Sequence, residues 1–264
     1  MKRLLSLCLL LILSSSLLQA QTYADFKVLA DQGDAEAQYN LAMCYAKGEG
    51  TTINYYSAVE MLKKAAAQGH IKAQNELGLC YHIGIGVYQD YTEALKWFTK
   101  SAEQGYAIAQ FNAGLSYARG TGVTVNYTEA KKWFKKAAEQ GVAIAQYNLG
   151  LCFIHGWGAV VNYSEAAKWF SKAAEQGVAL AQYNLGVCYQ EGNGVAHSSY
   201  EAAKFFRKAA EQDCAEAQYS LAICYMNGDG VYQSDYEAIK WLKKAANLGL
   251  YEAQQALWEL GEYW

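Results

Sequence analysis

The 264-residue sequence contains no proline. Proline-stopped helices and proline-fixed turns are therefore excluded, and glycine must punctuate the chain instead. An excess of positive charge is also missing: 22 Lys and Arg stand against 25 Asp and Glu, a formal charge of −3. A phosphate backbone requires a clustered basic surface, so nucleic acid is excluded as a partner. Only four histidines occur, His70, His82, His155 and His197, at unrelated places in the pattern described below. No Cys-x-x-Cys is present, and no metal or other cofactor is expected.

The one long apolar run lies at the start. Met1-Lys2-Arg3 precedes a run from Leu4 to Leu18, and Ala20 offers a small residue before a cut. This pattern reads as a signal peptide over 1–20, which implies export to a periplasm, the medium or a secretory lumen. The run is short for a membrane span, which takes about 20 apolar residues, so no stable span is expected after cleavage. Cys8 sits inside the run rather than at its end, where bacterial lipidation would need it.

What the chain has in abundance is itself. AQYNLG stands at 145–150 and again at 181–186, with near-copies at 37–42, 73–78, 109–114, 217–222 and 253–258. The glutamines Gln38, Gln74, Gln110, Gln146, Gln182, Gln218 and Gln254 keep a spacing of 36 throughout. Such a period marks an array of stacked units. In the unit from Ala107, the residues Ala109, Ala113 and Tyr117 fall at steps of four, the stripe of an amphipathic helix. Gly120 and Gly122 end it, and Asn126 with Glu129 reads as a capping box opening a second helix. The box recurs as Asp90/Glu93, Asn162/Glu165, Ser198/Glu201 and Ser234/Glu237. Tyr127, Ala130, Trp133, Phe134, Ala137 and Ala138 form the expected buried side of that second helix. One helix pair cannot bury both faces, so stability should come from stacking.

Six cysteines follow the apolar run, five of them (Cys44, Cys80, Cys152, Cys188 and Cys224) at one place in the repeat. Equivalent points on stacked helices lie roughly 10 Å apart, beyond the reach of about 7 Å that a disulfide allows. These cysteines, with Cys214, are read as small buried apolar residues. Each Gly-x-Gly sits at a helix C-terminus, where the dipole repels anions, so it is a turn and not a phosphate loop. Asn126 and Asn162 open glycosylation sequons, but capping already accounts for both.

The pattern A-Q-x-x-L-G-x-x-Y-x-x-G-x-G-V, followed by (D/N)-Y-x-E-A-x-x-W-F-x-K-A-A-E-Q-G, resembles the SEL-one-like repeat (SLR) family, a relative of the tetratricopeptide repeat. The likeness runs over about residues 22–264. It implies an all-α fold, an α-solenoid of 36-residue helix-turn-helix repeats coiled into a right-handed superhelix. The expected organisation is a capping helix within 21–34, six repeats over 35–250, and a C-terminal capping helix within 251–264. By resemblance to tetratricopeptide arrays, the first helices line a concave groove with the two residues before the core leucine and the one two after it. Carried over, these are Tyr39, Asn40 and Met43; Asn75, Glu76 and Leu79; Phe111, Asn112 and Leu115. Further along they are Tyr147, Asn148 and Leu151; Tyr183, Asn184 and Val187; and Tyr219, Ser220 and Ile223.

Asparagine amides both donate and accept, which suits the backbone of an extended peptide, and tyrosine adds a rigid amphipathic surface. Alternatively, these Tyr and Asn side chains bond to each other between repeats. The central first helices carry Ile108, Ile144 and Leu180 where the outer ones carry Glu36, Lys72 and Glu216, so a partner segment is expected across repeats three to five. No catalytic constellation is visible, and neither Ser-x-x-Lys nor Lys-Thr-Gly occurs. The resulting expectation is a non-catalytic scaffold or adaptor that binds protein or peptide. A carbohydrate or cell-wall binder using the tyrosines is the alternative. The aromatic end from Trp258 to Trp264 offers a surface for weak self-association.

Overall fold

A computed structural model describes residues 22–158 and 160–264; the proposed signal peptide lies outside them. The described residues form helices and turns, with no strand among them. Helix α1 covers residues 22–31. The first helices of the six units are α2 (Ala35–Lys47), α4 (Ile71–Ile83), α6 (Ala107–Arg119), α8 (Ala143–His155), α10 (Ala179–Glu191) and α12 (Ala215–Asn227). Their second helices are α3 (Tyr55–Ala67), α5 (Tyr91–Glu103), α7 (Tyr127–Glu139), α9 (Tyr163–Glu175), α11 (Ser199–Ala210) and α13 (Asp235–Asn247), and α14 (Tyr251–Glu259) follows. The chain divides into two compact units, one ending at Asn126 and the other beginning at Tyr127.

The core is built largely from alanines, with a buried leucine at one place of every first helix except α6, where Ala113 stands. In the second unit Ala145, Leu149, Ala181, Leu185, Ala217 and Leu221 are at most 2% exposed. Burying each such leucine contributes about 1.5–3 kcal/mol, while the alanines set how closely the backbones approach. Gly150 shows how tight that approach is. A Cβ there would lie 2.5 Å from the Phe170 ring, so the aromatic of α9 rests directly on the backbone of α8. The second glycine of the Gly-x-Gly in repeats two to six is tighter still. At Gly194, with φ +76°, a Cβ would stand 2.2 Å from the carbonyl oxygen of Tyr163, in the repeat before it. The turn glycine is therefore also the place where one repeat lies against the next.

The repeated glutamine, noticed in the sequence only as a period, is structural. Gln146 Nε2 donates to the Ala138 carbonyl at the end of the preceding α7 (3.2 Å) and its Oε1 accepts from Gln176 Nε2 (2.8 Å). The same pair of bonds holds Gln38 with Gln68, Gln74 with Gln104, and Gln182 with Gln212. Buried amides are as a rule hydrogen-bonded, and in these four repeats the ladder both satisfies them and closes the helix pair. The ends use the same logic. Gln38 bonds to Ala30 of α1, and Gln254 of α14 bonds to Ala246 (3.1 Å). Thus α1 stands where a preceding second helix would stand, and α14 where a following first helix would.

Three sequence expectations need correction. The capping box is only half made: Asp90, Asn162, Ser198 and Ser234 accept from the N–H three residues on. The N–H of each of those cap residues, however, goes to the tyrosine or phenylalanine carbonyl of the preceding helix (2.9–3.0 Å). The glutamates have no N–H to return to, and pair instead with a lysine one turn on, as in Glu201–Lys204 at 2.8 Å. Tyr127 is not buried; it is 38% exposed and stacks on Trp157 with centroids 5.3 Å apart. Cys80 is only half-buried, unlike the other five cysteines after the apolar run. Burial still pushes the thiols of Cys80, Cys152, Cys188 and Cys224 up to about 11, which leaves them protonated and unreactive near neutrality.

Candidate functional site

The face of the first helices carries the residues expected to line a groove. In the first unit this face is largely occupied by its own bonds. Tyr39 stacks on His70 (4.8 Å, 22°), whose Nε2 meets Glu36 at 3.0 Å and whose Nδ1 caps α4 by accepting from Ala73 N–H. Asn40 reaches back to Glu36 (3.4 Å). Asn75 is 1% exposed, with Asn112 donating to its oxygen at 3.0 Å. A buried amide cannot offer itself to a partner, so Asn75 is removed from the expected lining and Asn112 is turned toward it. Phe111 and Leu115 are half-buried beside it, and Leu115 borders a small hollow with His82, Phe98 and Arg119.

The second unit differs. Asn148 Nδ2 donates to Ile144 O (2.7 Å) and Asn184 Nδ2 to Leu180 O (2.8 Å), each one turn back on its own helix. Burial raises the Tyr147 and Tyr183 phenols above their usual range, and hydrogen bonds with Asn184 and Ser220 work against the rise. Each tyrosine ring leans on the phenylalanine beneath it, Tyr147 on Phe170 and Tyr183 on Phe206, both at 5.9 Å. Tyr147, Asn148, Leu151, Tyr183, Asn184 and Tyr219 are all half-buried. Ile144 and Leu180 beside them are 39% and 44% exposed. The result is a fixed row of aromatic and amide groups edged by open aliphatic side chains. Among the described residues, no group of three or more His, Cys, Asp or Glu is placed to hold a metal, and no helix is long and apolar enough to cross a membrane.

The profile of the Sel1 repeat matches residues 35–70, 71–106, 107–142, 143–178, 179–214 and 215–250. The chain belongs to the Sel1 repeat family. Among solved structures, c5321, a protective antigen of uropathogenic Escherichia coli strains with an SLR fold, is 37% identical with a TM-score of 0.84. That match covers 88% of this chain and 50% of the antigen, so the chain spans about half the antigen's length. A Sel1 repeat protein from Oxalobacter formigenes is also 37% identical, with a TM-score of 0.75 over 83% of this chain and 86% of that one. The C-terminal part of a TPR repeat-containing protein from Cytophaga hutchinsonii shares the fold at 14% identity and TM-score 0.53, over 92% of this chain and 98% of that one. No curated protein sequence matches the chain. Sel1 repeats are in general non-catalytic scaffolds for protein interaction, and this chain's helix pairs form an α-solenoid of that kind.

Proposed function

We propose that this Sel1 repeat protein is exported and binds an extended peptide segment of a partner protein without catalysis. The row Tyr147, Asn148, Leu151, Tyr183, Asn184 and Tyr219 is its recognition surface. One observation carries this reading: in repeats four and five, exposed Ile144 and Leu180 flank amides whose nitrogens are already anchored. Anchoring leaves the Asn148 oxygen as an acceptor for a partner N–H. It also fixes the side chain before binding, which reduces the entropy a partner must overcome. The exposed aliphatics supply apolar area to desolvate.

A peptide array probed with the chain from Gln21 onward tests the reading, with a glycan array alongside. Asn148→Ala combined with Asn184→Ala should cost about 1 kcal/mol of stability through the Tyr147–Asn184 bond, and should weaken the selected peptides at least tenfold. A folded double variant that binds those peptides normally would end the proposal, and selection on glycans alone would favour a carbohydrate binder. Export is tested by N-terminal sequencing of protein recovered outside the cytosol, expected to begin at Gln21. The exposed Trp258 (75%) and Tyr263 (81%) give weak self-association its surface; sedimentation of a Trp258→Ala variant checks it.

A further inference from the structure

Two clefts on the molecule are copies of one another. One is lined by Tyr56, Lys63, Tyr81, Val87 and Tyr88, among others. The second is lined by Tyr200, Arg207, Tyr225, Val231 and Tyr232, each four 36-residue repeats after its counterpart. They share no residue with the recognition row above. The walls are unusually open aromatics: Tyr88 and Tyr232 are 96% and 97% exposed, Tyr56 and Tyr200 69% and 66%. The repeats between do not continue the motif, because Thr124, Val160 and Ala196 take the place of Tyr88, and Thr92, Thr128 and Ser164 the place of Tyr56. Stacking does not require these tyrosines, since the intermediate repeats stack without them.

The two clefts differ in charge. In the first, Glu60 and Asp90 join the lining, and Lys63 is held by Glu60 at 3.0 Å. In the second, those two places carry Lys204 and Ser234, and no carboxylate is among the lining residues. Glu201 is paired with Lys204 (2.8 Å), and Asp229 meets Asn227 (3.2 Å) while bordering a different hollow. Arg207 Nη2 donates to the Tyr225 hydroxyl at 2.6 Å, and the guanidinium lies 5.6 Å from that ring's centroid. One of five guanidinium donors is thus used to fix the group, and the planar fork is left for a carboxylate. The cleft, of about 660 Å³, has room for two or three side chains.

We infer that the Arg207 cleft binds an acidic peptide, with a carboxylate on Arg207 and a neighbouring aromatic or aliphatic side chain between Tyr200 and Tyr232. The Lys63 cleft, already neutralised, does not. Calorimetry of the chain from Gln21 with an acetylated, amidated peptide alternating Glu and Phe tests this. One site per chain is expected, weakening as salt rises, and the Gln-for-Glu peptide should bind at least tenfold more weakly. Arg207→Gln and, separately, Tyr232→Ala should each reduce affinity at least fivefold, while Tyr88→Ala changes nothing. Tyr232 is almost wholly exposed, so its variant decides the matter even if Arg207→Gln melts early. Combining Glu60→Lys, Lys63→Arg and Asp90→Ser should raise the stoichiometry from one site to two. No binding at millimolar peptide, equal binding of the Gln peptide, or no second site in the triple variant would overturn the inference. So would a uronate oligosaccharide taking the site while the peptide does not. Loss of binding only in Asn148→Ala with Asn184→Ala would also overturn it, and would assign the peptide to the row of the first helices.

Discussion

Repeats four and five seat a phenylalanine of the second helix on a glycine of the first, Phe170 on Gly150 and Phe206 on Gly186. Repeat six places Leu242 and Ala222 at the same two positions in its core. Repeat one, at the other end, also has the smaller pair, Leu62 with Ala42. The glutamine ladder changes too. Gln146 and Gln182 accept from Gln176 and Gln212, but the sixth repeat has Leu248 at that place, and Gln218 Oε1 is buried with no partner. Core size is conserved by exchanging a methyl group for ring volume, whereas the polar closure is simply lost. The terminal repeat therefore keeps its packing and gives up part of its fastening.

The largest effect should come from breaking the interior pair. Gly150→Ala places a Cβ 2.5 Å from the Phe170 ring, and overpacking of this kind costs about 2–3 kcal/mol. Adding Phe170→Leu recreates the terminal pair and should recover part of that loss, so the two changes are strongly non-additive in denaturant titrations. Additive losses would mean that the pairs are not interchangeable. Gln176→Leu imitates the sixth repeat in the fourth by stranding Gln146 Oε1, and should destabilise by about 1–2 kcal/mol.

The converse change sharpens the comparison. Leu248→Gln should satisfy Gln218 Oε1 and stabilise the chain by about 1 kcal/mol, since Leu248 is 52% exposed and little burial is lost. Thermal melting checks the sign, and a drop would show that the ladder does not matter at this junction. The smallest change is expected beside it. Asp213, at φ 58°, takes the left-handed place that glycine holds in the other repeats. Asp213→Gly relieves up to about 1 kcal/mol of strain but removes the bond from Gln218 Nε2 to Asp213 Oδ1 (3.3 Å). The net shift should stay within about 0.5 kcal/mol.

Much of this fold was legible. The 36-residue spacing, the stripe through Ala109, Ala113 and Tyr117, and the paired glycines located every first helix and its turn. Local rules sufficed there because capping and periodicity act within a few residues. The purpose of the glutamines was not legible, since their partners lie thirty residues onward and eight residues back. The site was legible as a row of positions but not as a surface. Asn112 and Asn148 are equivalent in the sequence, yet the first donates to the buried Asn75 while the second is anchored to its own helix.

By itself the sequence determined the repeat count, the register, the helix ends and the small-against-large pairs of the core. Each of these follows from spacing along the chain and from side-chain volume. Only the tertiary structure decided which polar groups remain for others. It set Asn112 apart from Asn148, left Gln218 Oε1 without a donor, and assembled two tyrosine-walled clefts of unequal charge from residues on neighbouring repeats. Whether an amide or a guanidinium is used up depends on where the next repeat places its own donors and acceptors, and that distance is not written in any single repeat.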